Sequence, residues 1–354
     1  MSSRNSHKLE QQVAEAAVLQ ASILTKQVQS SVKEIAKDDR SPVTIADFAA
    51  QAILIGILHQ VFPDDSFLGE ETSAALRADE SLCGKVYDLV TSVAESSRLS
   101  NSWPEVPRPA DKEELLGWID LGGFGEGGEQ GRFWVIDPVD GTATFLRGQQ
   151  YGVSLSLVVE GKEVVGVLGC PNIGAGTTRV SETDVDEKSF GVLLSAVRGQ
   201  GSTLRAMTDQ GLGEPISLTS IPSRRQASSL KIVGSTACPV TRHDTVAELA
   251  AHFNVKFPGI ELWSSHIRYA ALIIGDGSAQ FWVPSGPMSR MHIWDHAGTQ
   301  LIFTELGGKV TDLDGMAIDF GAGRDLTRNR GLVAAWEEFH PSLLRVMNEI
   351  EASH

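Results

Sequence analysis

The chain has 354 residues, 42% of them hydrophobic and 21% charged, with a formal net charge of −15. This is the composition of an ordinary globular protein, long enough for one large domain or two medium ones. So acidic a surface repels nucleic-acid backbone and anionic lipid, which argues against general binding to either; it admits a small phosphorylated ligand, because a bound cation reverses the local sign.

The chain opens on MSSRNSHKLEQQVAEAAVLQ, which carries no hydrophobic stretch of signal-peptide length. Leu9, Val13, Ala16, Ala17, Leu19, Ile23 and Leu24 recur at helical spacing and predict one amphipathic helix from about His7 to Ile35. KDDRSPVT breaks that pattern at Pro42, and a second helix is expected from about Ala46 through ADFAAQAILIGILHQVF, ended by Pro63 to Asp65. SFLGEE then reads as a short strand running into Glu70 and Glu71. Residues 73–131 hold polar helical pieces and the glycine-rich link LGGFGEGGEQG. Its Gly123, Gly125 and Gly128 match GxGxxG, but they precede a strand instead of following one, so a flexible connector is expected and a dinucleotide site is not.

Strands dominate from Arg132: RFWVID, GVSLSLVVEG, EVVGVLGCP and FGVLLSAVRGQG, with turns at Glu160-Gly161 and Pro171-Asn172. Helices are expected at Asp244 to Phe253, His266 to Ile274, Asp295 to Leu306 (stopped by Gly307-Gly308) and Pro341 to Ile350, with FWVP as a strand. Helix and strand blocks in this order predict an α+β chain, a layered αβαβα sandwich. The expected division is an N-terminal α+β part over 1–180 and a C-terminal α/β part over 181–354. Cys83, Cys170 and Cys238 are far apart and form no CxxC pair, so buried reduced thiols are expected. No apolar run approaches the ~20 residues of a membrane span. Cytoplasm or nucleus is the expected location.

The chemistry concentrates in WVIDPVDGTATFLRG, Trp134 to Gly148. Pro138 fits neither a helix interior nor a central strand, so Asp137 is expected to end the strand and Pro138 to begin a turn. Asp140 then lies one turn on, and both carboxylates can face one point. Gly141 lets the backbone turn sharply, and Thr142 with the amides after it would open a short helix. Carboxylates beside free amides suit a hard cation carrying a phosphate. Asp47 after SPVTIA, Glu70-Glu71 after SFLG and Asp295 in HIWDHAG each sit at an element terminus beside an apolar run. Gathering such acids calls for a cation to neutralise them.

DPVDGT resembles the DPxDGT signature of the inositol monophosphatase superfamily, the lithium-sensitive, magnesium-dependent phosphatases. WDHAG resembles its second signature, and SPVTIAD and GEE match the two remaining metal-site segments in the family order. DGTATFLRG, VLGCPN, AVRGQG and SPVTIADFAAQ are similar to one branch, the 3′(2′),5′-bisphosphate nucleotidases. The resemblance runs from the first helix to LVAAW. It implies that Glu70, Asp137 and the Val139 carbonyl hold one Mg²⁺, that Asp137, Asp140 and Asp295 hold a second, and that a third ion uses Glu70 and water. It also implies that Asp47 and Thr142 orient and deprotonate the attacking water. His296, beside Asp295, is assigned a packing or supporting role.

The substrate half departs from the branch. A His-Ser-Ser-His-like run expected in the segment here written VGSTACPVTRHD is missing. The branch's serine–lysine pair stands as Ser265 and Arg268, and an expected basic residue in the next strand is replaced by Trp282. Arginine keeps the charge and offers a fork for a second phosphate. The resemblance implies a substrate-binding set of Gly141, Thr142, Ser265 and Arg268. The preferred partner is a small phosphorylated nucleotide, 3′-phosphoadenosine 5′-phosphate, with no nucleic-acid polymer and no membrane. Two alternatives remain: a sibling phosphatase acting on an inositol phosphate or another small ester, and a catalytically silent binding protein of the same fold.

Overall fold

The computed structural model describes residues 6–32, 41–99, 103–220, 230–237 and 240–353. Helix α1 (Lys8–Val32) covers the predicted span as far as the described residues reach; positions 33–35 lie outside them. Helix α2 (Ser41–Val61) starts five residues before the expected Ala46. Pro42 is its second residue, where the missing N–H costs nothing because first-turn amides have no intrahelical acceptor. Asp47 therefore lies in the second turn and not at the helix start. The stretch Thr44–Val61 has a mean hydropathy of 1.4, enough by length and composition to cross a membrane, but 72% of it is buried inside the fold.

Strand β1 (Ser66–Gly69) follows, then α3 (Ala74–Ala78), α4 (Glu80–Leu99) and α5 (Lys112–Gly123). Next come β2 (Arg132–Asp140), α6 (Thr142–Phe145), β3 (Gly152–Val159), β4 (Lys162–Cys170), β5 (Val192–Val197), β6 (Ser202–Thr208), β7 (Gly211–Leu212) and β8 (Ile216–Ser217). The rest of the chain forms β9 (Ile232–Gly234), α7 (His243–His252), β10 (Ile260–Glu261), α8 (Ser265–Ile273), β11 (Ala279–Trp282), α9 (Ala297–Thr304), β12 (Gly308–Thr311), β13 (Leu332–Trp336) and α10 (His340–Glu351). Glu160 (φ 49°) and Gly161 (φ 70°) both take left-handed backbone, which suits the two-residue hairpin between β3 and β4. The turn expected at Pro171-Asn172 forms, with the Ile173 N–H donating to the Cys170 carbonyl (3.2 Å), but it opens a long excursion, residues 171–191, before β5 pairs with β4.

Two sheets form. The first runs β1-β2-β3-β4-β5-β6-β7, with β8 on β6, and is antiparallel except for β1 beside β2. Strands on both sides of residue 180 build it. The second runs β10-β9-β11-β13-β12. One apolar core seals α1 and α2 against the first sheet through Val13, Ile53, Trp134 and Leu155. A second, with Ile267, Leu301 and Phe303, places α8 and α9 between the sheets; a third, with Leu249, Phe281 and Leu343, packs α7 and α10 on the far face. The layers are αβαβα, as expected. Cys83 and Cys170 are buried free thiols, and Cys238 lies outside the described residues.

The glycine link after α5 is not a loose connector. A Cβ on Gly125 would lie 1.7 Å from the Phe67 carbonyl oxygen, and one on Gly123 would lie 2.4 Å from that of Glu71. These glycines let the chain press against the end of β1, beside the acidic pair that follows it.

Candidate active site

Strand β2 does not stop at Asp137. Asp137 pairs with Ser154 and Asp140 with Gly152, so three steps on β2 face two on β3. Pro138 and Val139 fall inside this bulge, one of the few places a proline fits in a central strand. The bulge, and not a turn after the strand, carries both aspartates to the sheet's end. Gly141 then takes φ +100°, and a Cβ there would meet the Thr144 hydroxyl at 2.8 Å. Thr142 stands exposed as the first residue of the four-residue α6.

The other acids arrive from separate elements. Glu70 follows β1, and its backbone is clamped on either side. The Gln51 amide donates to the Glu71 carbonyl (2.7 Å) and accepts from the Glu71 N–H (3.0 Å). Arg324 donates to the carbonyls of Gly69 (2.8 Å) and Gly125 (2.9 Å). Asp295 precedes α9 by two residues, with His296 in the capping position, so it is not the helix start that the sequence suggested. His296 is buried, and burial, then the neighbouring His266 and Arg268, holds its imidazole down to about 3.

Carboxyls of this cluster disfavour their charged forms, Glu71 among them through burial. Burial, then Glu71 and Glu70, pushes Asp47 well above the carboxylate range. Burial, then Asp137, Asp295, Glu71 and Asp140, does the same to Glu70, although that side chain keeps an exposed edge in the cleft. Burial, then Asp140, Asp295 and Asp47, raises Asp137. Asp295 is pushed up to about 7, mainly by burial and then by Asp140. Like charges this close remain ionised together only if a cation joins them. Among the described residues, Asp137 Oδ1 is buried with no hydrogen-bond partner. An all-carboxylate set with an orphaned buried oxygen fits a hard divalent ion.

Three residues that sequence reasoning passed over complete the cluster. Ser264 caps α8, accepting from the Ile267 N–H (3.0 Å) while its hydroxyl donates to Asp140 Oδ2 (2.5 Å). The His266 N–H also donates to Asp140 Oδ2 (2.7 Å). The His266 ring lies fully buried, with Nε2 3.2 Å from Asp137 Oδ2 and Nδ1 3.1 Å from the Thr299 hydroxyl. Ligand atoms of Asp137, Asp140 and His266 all lie within 4.8 Å of one another. The signal available in the sequence was the serine pair before HIRYAALI, a capping pattern.

Beside Asp295 opens a cavity of about 410 Å³, lined among others by Ser265, Arg268, Trp282, Arg290 and His292. Arg268 donates to the Ser265 hydroxyl at 3.0 Å. The predicted substrate residues Ser265 and Arg268 thus share one wall with Trp282, next to a predicted cation ligand.

The chain matches the model of the "Inositol monophosphatase family" over residues 6–352. The 3′(2′),5′-bisphosphate nucleotidases of Schizosaccharomyces pombe and Emericella nidulans are each 36% identical to it, covering 93% and 98% of this chain and 92% and 99% of their own lengths. A 3′,5′-bisphosphate nucleotidase 2 of Arabidopsis thaliana is 32% identical over 97% of both chains. Among solved structures, an inositol monophosphatase from Zymomonas mobilis superposes with a TM-score of 0.58 at 17% identity, covering 98% of this chain and 100% of that one. That last likeness speaks to the fold alone.

Proposed function

The chain belongs to the inositol monophosphatase family, and from that premise we propose that it is a metal-dependent phosphomonoesterase. Its reaction takes water and 3′-phosphoadenosine 5′-phosphate to AMP and inorganic phosphate. The observation that carries this reading is the convergence of Asp47, Glu70, Asp137 and Asp295, each pushed towards its protonated form, beside a cavity that holds Arg268. The near-full-length likeness to named bisphosphate nucleotidases supports the substrate.

Glu70, Asp137, the Val139 carbonyl, Asp140 and Asp295 are the residues that would hold two or three Mg²⁺ ions. Such ions, when bound, supply charge against the phosphoryl oxygens and a nucleophile at neutral pH. Asp47, buried in the second turn of α2, is the acceptor for the proton of the attacking water, and the exposed Thr142 hydroxyl orients that water. Gly141 keeps the backbone clear beneath the reacting phosphate. Arg268 and Ser265 hold the second phosphate, and Trp282 offers its ring to the base.

Phosphate release should require Mg²⁺, stop in chelator, and fall with added lithium but not with equal potassium. Turnover that persists in chelator would remove the metal-dependent reading. Full Mg²⁺-dependent activity indifferent to lithium would mean that the weakest cation site is built differently from its relatives'.

A further inference from the structure

The His266 ring has no part in the chemistry described above, yet it is fully buried against the acidic cluster. The Thr299 hydroxyl lies 3.1 Å from His266 Nδ1 and 3.3 Å from the His296 carbonyl. In the tautomer with its proton on Nδ1, the ring donates to Thr299 Oγ1, whose own proton goes to the His296 carbonyl, and Nε2 is left as a bare lone pair. That lone pair faces Asp137 Oδ2 at 3.2 Å, and among the described residues Nε2 has no hydrogen-bond partner. Asp137 Oδ1, on the same carboxylate, is buried and unpartnered as well. Two acceptors facing each other in a dry interior are unfavourable unless something positive lies between them.

We propose that His266 Nε2 is a nitrogen ligand of the cation site formed with Asp137 and Asp140, and that it gives this site a preference for borderline divalent ions over Mg²⁺. The separation suits shared coordination: two ligands each about 2.1 Å from one ion, at roughly a right angle, stand about 3 Å apart. The ring is also held as metal-bound imidazoles are, with its other N–H given to a fixed acceptor. Imidazole nitrogen binds Co²⁺, Ni²⁺ and Zn²⁺ more readily than Mg²⁺, which takes oxygen. The inference deepens the proposed metal site and rests on it.

The test is calorimetric titration of the metal-free full chain with Co²⁺ and with Mg²⁺, alongside the visible absorption of the Co²⁺ form. His266→Gln removes the nitrogen while keeping a side chain of similar reach. Thr299→Val removes the acceptor that holds the tautomer. The first variant should lose Co²⁺ affinity by about tenfold or more, with Mg²⁺ affinity held within about threefold, and should shift the Co²⁺ spectrum. Thr299→Val should move in the same direction by less. Equal losses for both ions, or an unchanged Co²⁺ affinity and spectrum, would overturn the assignment and leave His266 as a group that only orients Asp137. Failure of the phosphatase reading would show elsewhere, as no phosphate release by the unaltered chain with Mg²⁺, whatever the two affinities.

Discussion

Asp140 shows how one carboxylate divides its work. Its Oδ2 is taken by the Ser264 hydroxyl and the His266 N–H, while in the proposed site its other oxygen would meet the cation. Asp140→Asn keeps the size and an acceptor but loses the charge. It should fold with a near-normal melting temperature and lower kcat by several orders of magnitude; near-normal turnover would take Asp140 out of the site. Arg268 belongs to a different step. If its guanidinium holds the second phosphate, Arg268→Ala gives up a charge-assisted contact worth about 1.5–3 kcal/mol, a roughly ten- to hundredfold loss in kcat/KM. A substrate with one phosphate should lose far less, and equal losses on both would assign Arg268 to the fold or to the reacting phosphate. The acids of the cluster were legible in the sequence because they lie in short words, GEE, DPVDGT and WDHAG. His266 was not. Its role depends on the chain crossing back over the β2 bulge 126 residues after Asp140, and no local pattern records that.

The elements that place these residues follow ordinary rules used at their exceptions. Two prolines read as breakers turned out to lie inside elements, Pro42 in the first turn of α2 and Pro138 in the β2 bulge. Periodicity found α1, α2 and the strands from Arg132 well, because burial of one face sets them, but it left the 20-residue α4 as an unbounded polar helical piece. It could not place a bulge, which is set by pairing with β3. The start of α8 links element to site most directly, since the Ser264 cap also donates to Asp140. Ser264→Ala removes a helix cap worth about 1 kcal/mol and a hydrogen bond to a carboxylate worth about 1.5–3. Thermal unfolding should shift downward by several degrees and kcat should fall together with it. Substitution by Thr, which keeps the hydroxyl, should restore much of both. Loss of stability with unchanged kcat would confine Ser264 to capping.

At the scale of the molecule, the site exists because three layers meet. Asp47 comes from the outer helical layer, Glu70, Asp137 and Asp140 from the first sheet, and Asp295 from the loop leading into the helices between the sheets. The layered fold was legible from the order of elements, but the meeting point depends on tertiary packing. Folding brings like charges together, and the sign of the pH effect follows. Asp295 has an ordinary value of 3.8 and a folded value of about 7, and Asp47, Glu70 and Asp137 move the same way. A carboxyl raised on folding favours the folded state at low pH, and that advantage is lost as pH rises through the folded value. In chelator, melting temperature should therefore fall between about pH 5.5 and 8, and Mg²⁺ should restore more of it at the upper end. A Mg²⁺ effect independent of pH would mean that the carboxyls do not bind the ion. The most direct test of the whole account is phosphate release with Mg²⁺ from 3′-phosphoadenosine 5′-phosphate and from inositol 1-phosphate, compared as kcat/KM. The account predicts a clear preference for the nucleotide, abolished by chelator; a preference for inositol 1-phosphate, or no hydrolysis of either, would contradict it.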